Sequence, residues 1–353
     1  MKFLPKYRII EKFLIEEINS GKYKNGEKLP TEKELMQKFN ASRETVRKAL
    51  ERLTVMNLVI RKPGIGTFVN IEKKTKVIGI LVQQISSYIF PYIALGAEEE
   101  LFLNGYKMLL GNSSEDPNKE RQIINEWLEL NIDGMIIDPV YSATNRSNKS
   151  FIEDIINKGI KVVLIHTNWN FENAGNVILD DWYGGKKAAE LFYHFGHKRV
   201  AVIYKTTHVP SLIRAKAFLE RSKELGFEKV YVKNFHSSEF TGIVTQQAYE
   251  LISIPKPQRP TAIFCYNDAT ALQVYLACKR MGLKVPEDIS LLGFDNAPIG
   301  DFKEALSSFE HPKELLGKKA VDILIRMIKG DKPENYVFKP NLILKDSVSN
   351  PKE

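Results

Sequence analysis

Arg43 and Arg47 stand four residues apart in SRETVRKALERL, so on a helix their guanidinium groups share one face. Groups of that type can hold guanine edges bidentately or grip phosphate oxygens. More positive charge follows at Arg61 and Lys62, beside the tight turn Pro63-Gly64-Ile65-Gly66. A second set of useful side chains lies at the ends of apolar runs further along: Ser87 with Tyr88, Asp138, His166, Asn267 with Asp268, and Asp295 with Asn296. Planar polar groups near aromatic rings suit a sugar or polyol, whose hydroxyls take paired hydrogen bonds while its C–H faces pack on rings. Taken singly, each of these residues reads more readily as a loop or capping group. Asp268 in particular is expected to cap the helix that follows it.

Catalytic constellations are weak. His194 and His197 in HFGH have metal-like spacing but no evident third ligand, and His197 sits in a GHKR turn before a strand. Asp180 and Asp181 could pair for acid–base work, but Asp181 reads as a helix cap. There is no GxSxG elbow and no P-loop, so neither an enzyme nor a cofactor or metal is expected. The two cysteines, Cys265 and Cys278, form no CxxC pair, which fits a reducing compartment. The start MKFLPKYRIIEKF lacks the apolar core of a signal peptide, and no run reaches the roughly 18 apolar residues of a membrane span. A cytoplasmic protein is expected.

The elements that must position these groups fall into two classes. Residues 1–74 carry 17 Lys+Arg against 9 Asp+Glu, a net +8, while the remainder is neutral with 34 of each sign. A basic unit set apart in this way is the footprint of a polyanion binder. Ile9, Ile10, Phe13, Leu14 and Ile18 predict a first helix. Pro30, Thr31 and Glu34 predict a capping box for a second, and Ser42 caps a third with Val46, Ala49, Leu50 and Leu53 as its buried stripe. Two short helices, then two strands around Gly64 and Gly66, make a helix-turn-helix with a wing. After the charged segment 71–76, nine apolar runs alternate with helical stretches, from VIGILVQ to ISLLGFD. Continuous apolar strands between helices predict parallel sheets covered on both faces. Their number predicts two α/β lobes, divided near residues 181–184.

"LPTEKELMQKFNASRETVRKALERL" followed by "GIGTFV" resembles the winged helix-turn-helix of the gluconate-repressor (GntR) family over about residues 5–70, within a DNA-binding domain of residues 1–70. The resemblance implies that the third helix enters the major groove, with Lys33, Ser42, Arg43, Thr45 and Arg47 as DNA contacts and Gly64 and Gly66 shaping the wing. Relatives usually carry Gln or His before the first wing glycine, where this chain has Pro63. "VILDDWYGGKKAAELFYHFGHKRVAVI" and "PTAIFCYNDATALQVYLACKRMGLKVPEDISLLGFDN" resemble the effector domain of the lactose- and galactose-repressor (LacI) family, over residues 77–346. That resemblance implies a two-lobed, periplasmic-binding-protein-like domain for sugar binding and dimerisation. Arg214, Asn267 and Asp295 would hold sugar hydroxyls, Phe240 would stack on the ring, and Tyr88 and His166 would line the site. Relatives often read GxDD where this chain has Asp295-Asn296.

The pairing of these two parts is uncommon and resembles the arabinose-utilisation repressors (AraR type). It implies a homodimer on a palindromic operator, released when L-arabinose binds as allosteric effector. The residues alone say only "small polyol or sugar". A regulator sensing another sugar or a nucleoside fits them as well. A sugar receptor is a further alternative, though it would not need a basic head.

Overall fold

The capping signals of the first 70 residues are met in the computed structural model, which describes residues 5–56, 58–70, 75–86, 88–236 and 240–352. Helix α1 spans Lys6–Asn19, α2 Glu32–Phe39 and α3 Arg43–Val55. Thr31 and Glu34 form the reciprocal box: Thr31 Oγ1 accepts from Glu34 N, and Glu34 Oε2 accepts from Thr31 N at 2.7 Å. Asn40 takes a left-handed conformation (φ 43°) that turns the chain into α3, where Ser42 Oγ accepts from Thr45 N. The core is Ile10, Leu14, Ile18, Leu35, Val46, Ala49, Leu50 and Leu53, closed by Leu29, Val59 and Val69. Ile9, expected inside, is 47% exposed. Strands β1 (Val59–Lys62) and β2 (Gly66–Val69) pair antiparallel. Residues 26–29 run along β2 as an unforeseen third edge, through Gly26 N to Val69 O and Leu29 N to Thr67 O, each 2.8 Å.

Two compact units, Met1–Thr75 and Lys76–Glu353, separate. The segment 71–74 between them lies outside the described residues. In the second unit all nine apolar runs are strands. They are β3 (Val77–Val82), β4 (Lys107–Asn112), β5 (Gly134–Ile137), β6 (Val162–Ile165), β7 (Gly175–Leu179), β8 (Arg199–Lys205), β9 (Lys229–Phe235), β10 (Ala262–Cys265) and β11 (Ser290–Asp295). Three more, β12 (Ser307–Glu310), β13 (Asn335–Phe338) and β14 (Leu342–Ile343), complete two six-stranded sheets. Their orders are β13-β7-β6-β5-β3-β4 and β14-β12-β11-β10-β8-β9, parallel throughout except for β12–β14.

Helices α4 (Phe90–Leu103), α5 (Pro117–Glu129), α6 (Lys149–Asn157) and α12 (Lys313–Lys329) cover the first sheet's strands. Helices α7 (Asp181–His194), α8 (Val209–Leu225), α9 (Phe240–Ile252) and α10 (Asp268–Arg280) cover the second, with the short α11 (Phe302–Ala305) before β12. The single division expected near 181–184 is instead three crossings. The chain passes from β7 to α7, returns from β12 to α12, and passes again from β13 to β14. The last two escaped notice because β12 and β13 are short with polar residues and β14 is only two residues long. Helices α4 and α12 touch backbone to backbone: a methyl at Gly96 would strike the Glu314 carbonyl, and one at Gly317 the Ile93 carbonyl. Among the described residues no helix is long and apolar enough to cross a membrane.

Candidate effector cleft and nucleic-acid interface

Parallel strands end on the same side, so the polar residues that follow them meet at one edge of each sheet. Between the two sheets they enclose a cavity of about 300 Å³, lined by Tyr88, His166, Arg214, Asn267 and Asp295. Arg214, in the second turn of α8, is buried. Its Nε donates to Asp181 Oδ1 (2.7 Å), its Nη1 donates to the Tyr266 carbonyl (2.8 Å), and Asp295 Oδ1 lies 3.5 Å from Nη1. The guanidinium sits 3.4 Å over the Phe294 ring. Burial alone would lower the Arg214 pKa, but Asp181 and Asp295 outweigh it and the charge is held more firmly. From the other lobe, Tyr88 reaches across: its hydroxyl donates to Asp295 Oδ2 (2.5 Å) and accepts from Asp268 N (3.2 Å). Burial, then the Asp295 and Asp268 charges, push the Tyr88 phenol well up. The side chain of Phe240 lies outside the described residues.

Two capping assignments are corrected. Asn267, not Asp268, caps α10, its Oδ1 accepting from Thr270 N at 2.9 Å; its amide nitrogen is the part not used in the cap. Asp180, not Asp181, caps α7. In both polar dipeptides, Asp180-Asp181 and Asn267-Asp268, the first residue lies outside the helix and can reach back to it. The second is already helical and turns inward. Asp181 therefore meets Arg214, while Asp268 accepts from the Ser308 hydroxyl (2.6 Å) and Ala297 N (2.7 Å). Burial first, then the Asp295 charge, raise the Asp268 pKa to about 8.

His166 follows β6, and its ring joins two lobes. Nε2 lies 2.9 Å from His311 Nε2, at the return crossing, and Nδ1 lies 3.3 Å from Asp138 Oδ1. Burial pulls the His166 pKa down, but Asp138 more than compensates, and the net direction is up. His311 and His208 move well down, through burial and then the His166 charge. Asp138 stands behind His166 rather than on the cavity wall. His208, His311 and the pair Lys205–Glu115 (2.7 Å), which spans the cleft, line the cavity without having been singled out. His311 follows no apolar run, so strand-end reasoning could not find it. Of the HFGH pair, His197 is buried against Phe192 and bonded to Thr261 Oγ1 (2.9 Å), its pKa lowered by burial to about 4.

In the basic head, Arg43 and Arg47 do not simply lie along an open face. Arg43 Nε meets Glu32 Oε2 (3.0 Å), Arg47 Nε meets Glu32 Oε1 (3.2 Å), and Arg61 from β1 meets the same oxygen (2.5 Å). One carboxylate of α2 thus gathers three arginines from α3 and the wing. Burial opposes its ionisation, but the arginine hydrogen bonds outweigh burial and hold its pKa low. Lys33 is exposed on α2, and the Ser42 and Thr45 hydroxyls bond each other at 2.8 Å. Gly64 (φ 72°) and Gly66 (φ 140°) supply the left-handed turn of the wing, and a side chain at Gly66 would meet Lys28. Arg43, Arg47, Arg61, Lys62 and Gly64 border one groove. Glu32 and its contact with Arg61 were not foreseen, because nothing in their local spacing marks a contact across 29 residues.

Residues 6–69 match the bacterial regulatory proteins of the gntR family, and residues 189–348 match the periplasmic binding protein-like domain. The arabinose metabolism transcriptional repressor of Geobacillus stearothermophilus is 34% identical, over 98% of each chain. The protein of the same name from Halalkalibacterium halodurans is 25% identical, over 98% of this chain and 97% of that one. Among solved structures, a LacI family transcriptional regulator from Enterococcus faecium with bound ribose superposes with a TM-score of 0.68 at 21% identity. It spans 78% of this chain and all of its own (100%).

Proposed function

Because the chain belongs to the family of arabinose metabolism transcriptional repressors, sugar-sensing and DNA-binding, we propose that its effector is L-arabinose, bound in the cleft between the lobes. The observation that carries the site is the meeting of Arg214, Asp295 and Tyr88 on one cavity wall, two of them from one lobe and the third from the other. Arg214 donates and Asp295 accepts, so adjacent hydroxyls of a sugar can bridge them, and Asn267 offers its amide nitrogen beside them. His166 faces the same space, and Phe240 would supply a stacking ring. Binding involves no catalysis and no cofactor.

In the head, Lys33, Ser42, Arg43, Thr45 and Arg47 contact operator DNA, with Gly64 and Gly66 bringing the wing close to the backbone. A homodimer in the cytoplasm places two heads on a palindromic operator, since twofold protein symmetry calls for twofold DNA. Sugar stabilises one arrangement of the lobes, and the altered dimer no longer fits both half-sites. A coupling of about 1–3 kcal/mol is typical of such linkage.

The test is a thermal-shift screen of the full chain against pentoses, hexoses and nucleosides, joined to operator release in gel shifts. L-Arabinose should give the largest shift and should release the operator. Arg214→Ala should lose both responses. A larger shift with a nucleoside or another sugar would replace the effector assignment.

A further inference from the structure

Asp295 and Asn296, at the end of β11, are consecutive non-glycine residues with positive φ, 99° and 43°. Side chains rarely tolerate that backbone, and two in succession persist only where surroundings over-determine them. The β11–β12 ladder ends here, with Asp295 opposite Glu310, and leaves the carbonyls of the turn to find other donors. The His311 N–H reaches the Asp295 carbonyl at 3.4 Å, and one side chain supplies the shorter bonds. Lys313 Nζ donates to the Asp295 carbonyl (2.7 Å), the Asn296 carbonyl (3.1 Å) and the His311 carbonyl (3.3 Å). An ammonium has three donors; here two go to this turn and the third to the His311 carbonyl, two residues back in its own segment. Lys313 is also the first residue of α12, whose body packs on the first sheet, while the turn it grips belongs to the second.

We infer that Lys313 is a positioning residue for effector binding. Its ammonium locks the strained Asp295-Asn296 turn so that the Asp295 carboxylate stays aimed between Arg214 and Tyr88. The inference rests on the reading of Asp295 as a sugar contact. Without the cation the turn can relax toward an ordinary backbone, which would rotate the carboxylate off the cavity wall. Because the grip comes from the segment that crosses between lobes, the aim of Asp295 is tied to how the lobes are set.

The experiment is calorimetric titration of L-arabinose into the full-length protein, with operator binding in the absence of sugar as the check on folding. Lys313→Met should weaken arabinose binding at least tenfold and leave sugar-free operator affinity within twofold. Lys313→Arg, which keeps the cation, should recover most of that loss. In the Asp295→Asn background, adding Lys313→Met should cost little further, since the lysine acts through the aspartate. Should the Met variant not fold, Lys313→Gln carries the same comparison, with a smaller loss expected. Wild-type affinity in Lys313→Met or in folded Lys313→Gln, no recovery with Arg, or losses that simply multiply in the double variant would each overturn the inference. Those outcomes, with Asp295→Asn itself weakened, leave the cleft assignment standing. Normal binding by Asp295→Asn would bring down both.

Discussion

Glu32 holds three arginines that would otherwise repel one another, on the face proposed to meet DNA. On that proposal DNA phosphates would compete for the same guanidiniums, and the carboxylate would act as a template that gives way on binding. Arg43 is 66% exposed, and its loss should spare the fold. Arg43→Ala is expected to cost about 1–3 kcal/mol of operator affinity per half-site, the range for a bidentate base contact. Lys33→Ala should weaken all sequences evenly and flatten the salt dependence. Gel-shift titrations at two salt concentrations compare them, and unchanged specific affinity in Arg43→Ala would remove α3 from the interface. A different residue sets a pH dependence. Asp268 keeps its proton to about pH 8 in the fold, against an ordinary value of 3.8. Between those values the folded state binds a proton that the unfolded chain has lost, so this group's stabilisation falls as pH rises through 8. Asparagine can offer its carbonyl to Ala297 N and its amide to the Ser308 oxygen. Asp268→Asn should therefore keep the geometry and show less decline in melting temperature from pH 5 to 9. Parallel curves for the two proteins would count against the buried proton.

At the scale of elements, the α4–α12 contact brings two helix backbones together through Gly96 and Gly317. Gly317→Ala sets a methyl against the Ile93 carbonyl, a backbone atom that cannot step aside. Overpacking of this kind costs about 1–3 kcal/mol. A lowered melting temperature is expected, together with weaker sugar binding, since α4 follows the Tyr88 loop and α12 carries the Lys313 end of the crossing. A variant as stable as the parent would mean that the helices part freely. The same scale shows what was legible beforehand. Strands β3, β5 to β8, β10 and β11 announce themselves because both faces are largely buried and their apolar runs are unbroken by charge, while the partly exposed edge strands β4 and β9 show by their apolar clusters alone. SSFE and NYVF do not, because their polar side chains look like loop, in the buried β12 as at the exposed edge β13. Strand-end residues of the cleft could be read because parallel strands deliver them to one place. Glu32, His311 and the Asn267 cap could not. Their roles depend on contacts across the fold, or on which residue of a polar pair enters the helix first, and periodicity carries neither.

For the whole molecule, the excess charge sits in residues 1–74 and the sensing cleft in the other unit. In the proposed dimer the sugar acts on the spacing between heads, not inside either one. Arabinose should then weaken binding to a two-half-site operator far more than to a single half-site. Measuring both affinities with and without saturating sugar decides it, and an equal drop on both would refute the dimer-geometry mechanism. The three crossings of the chain between lobes carry a consequence for biosynthesis. A ribosome delivers this chain head first, and the head is complete by residue 70. The first sheet, however, waits for β13 at residues 335–338 and the second for β14 at 342–343. Neither sheet is finished until residues 335–343 emerge, so on the proposed mechanism a nascent or stalled chain would hold a half-site long before it could hear the sugar. A chain stopped at residue 334 should bind a half-site and ignore arabinose, which makes silence the state the gene meets first.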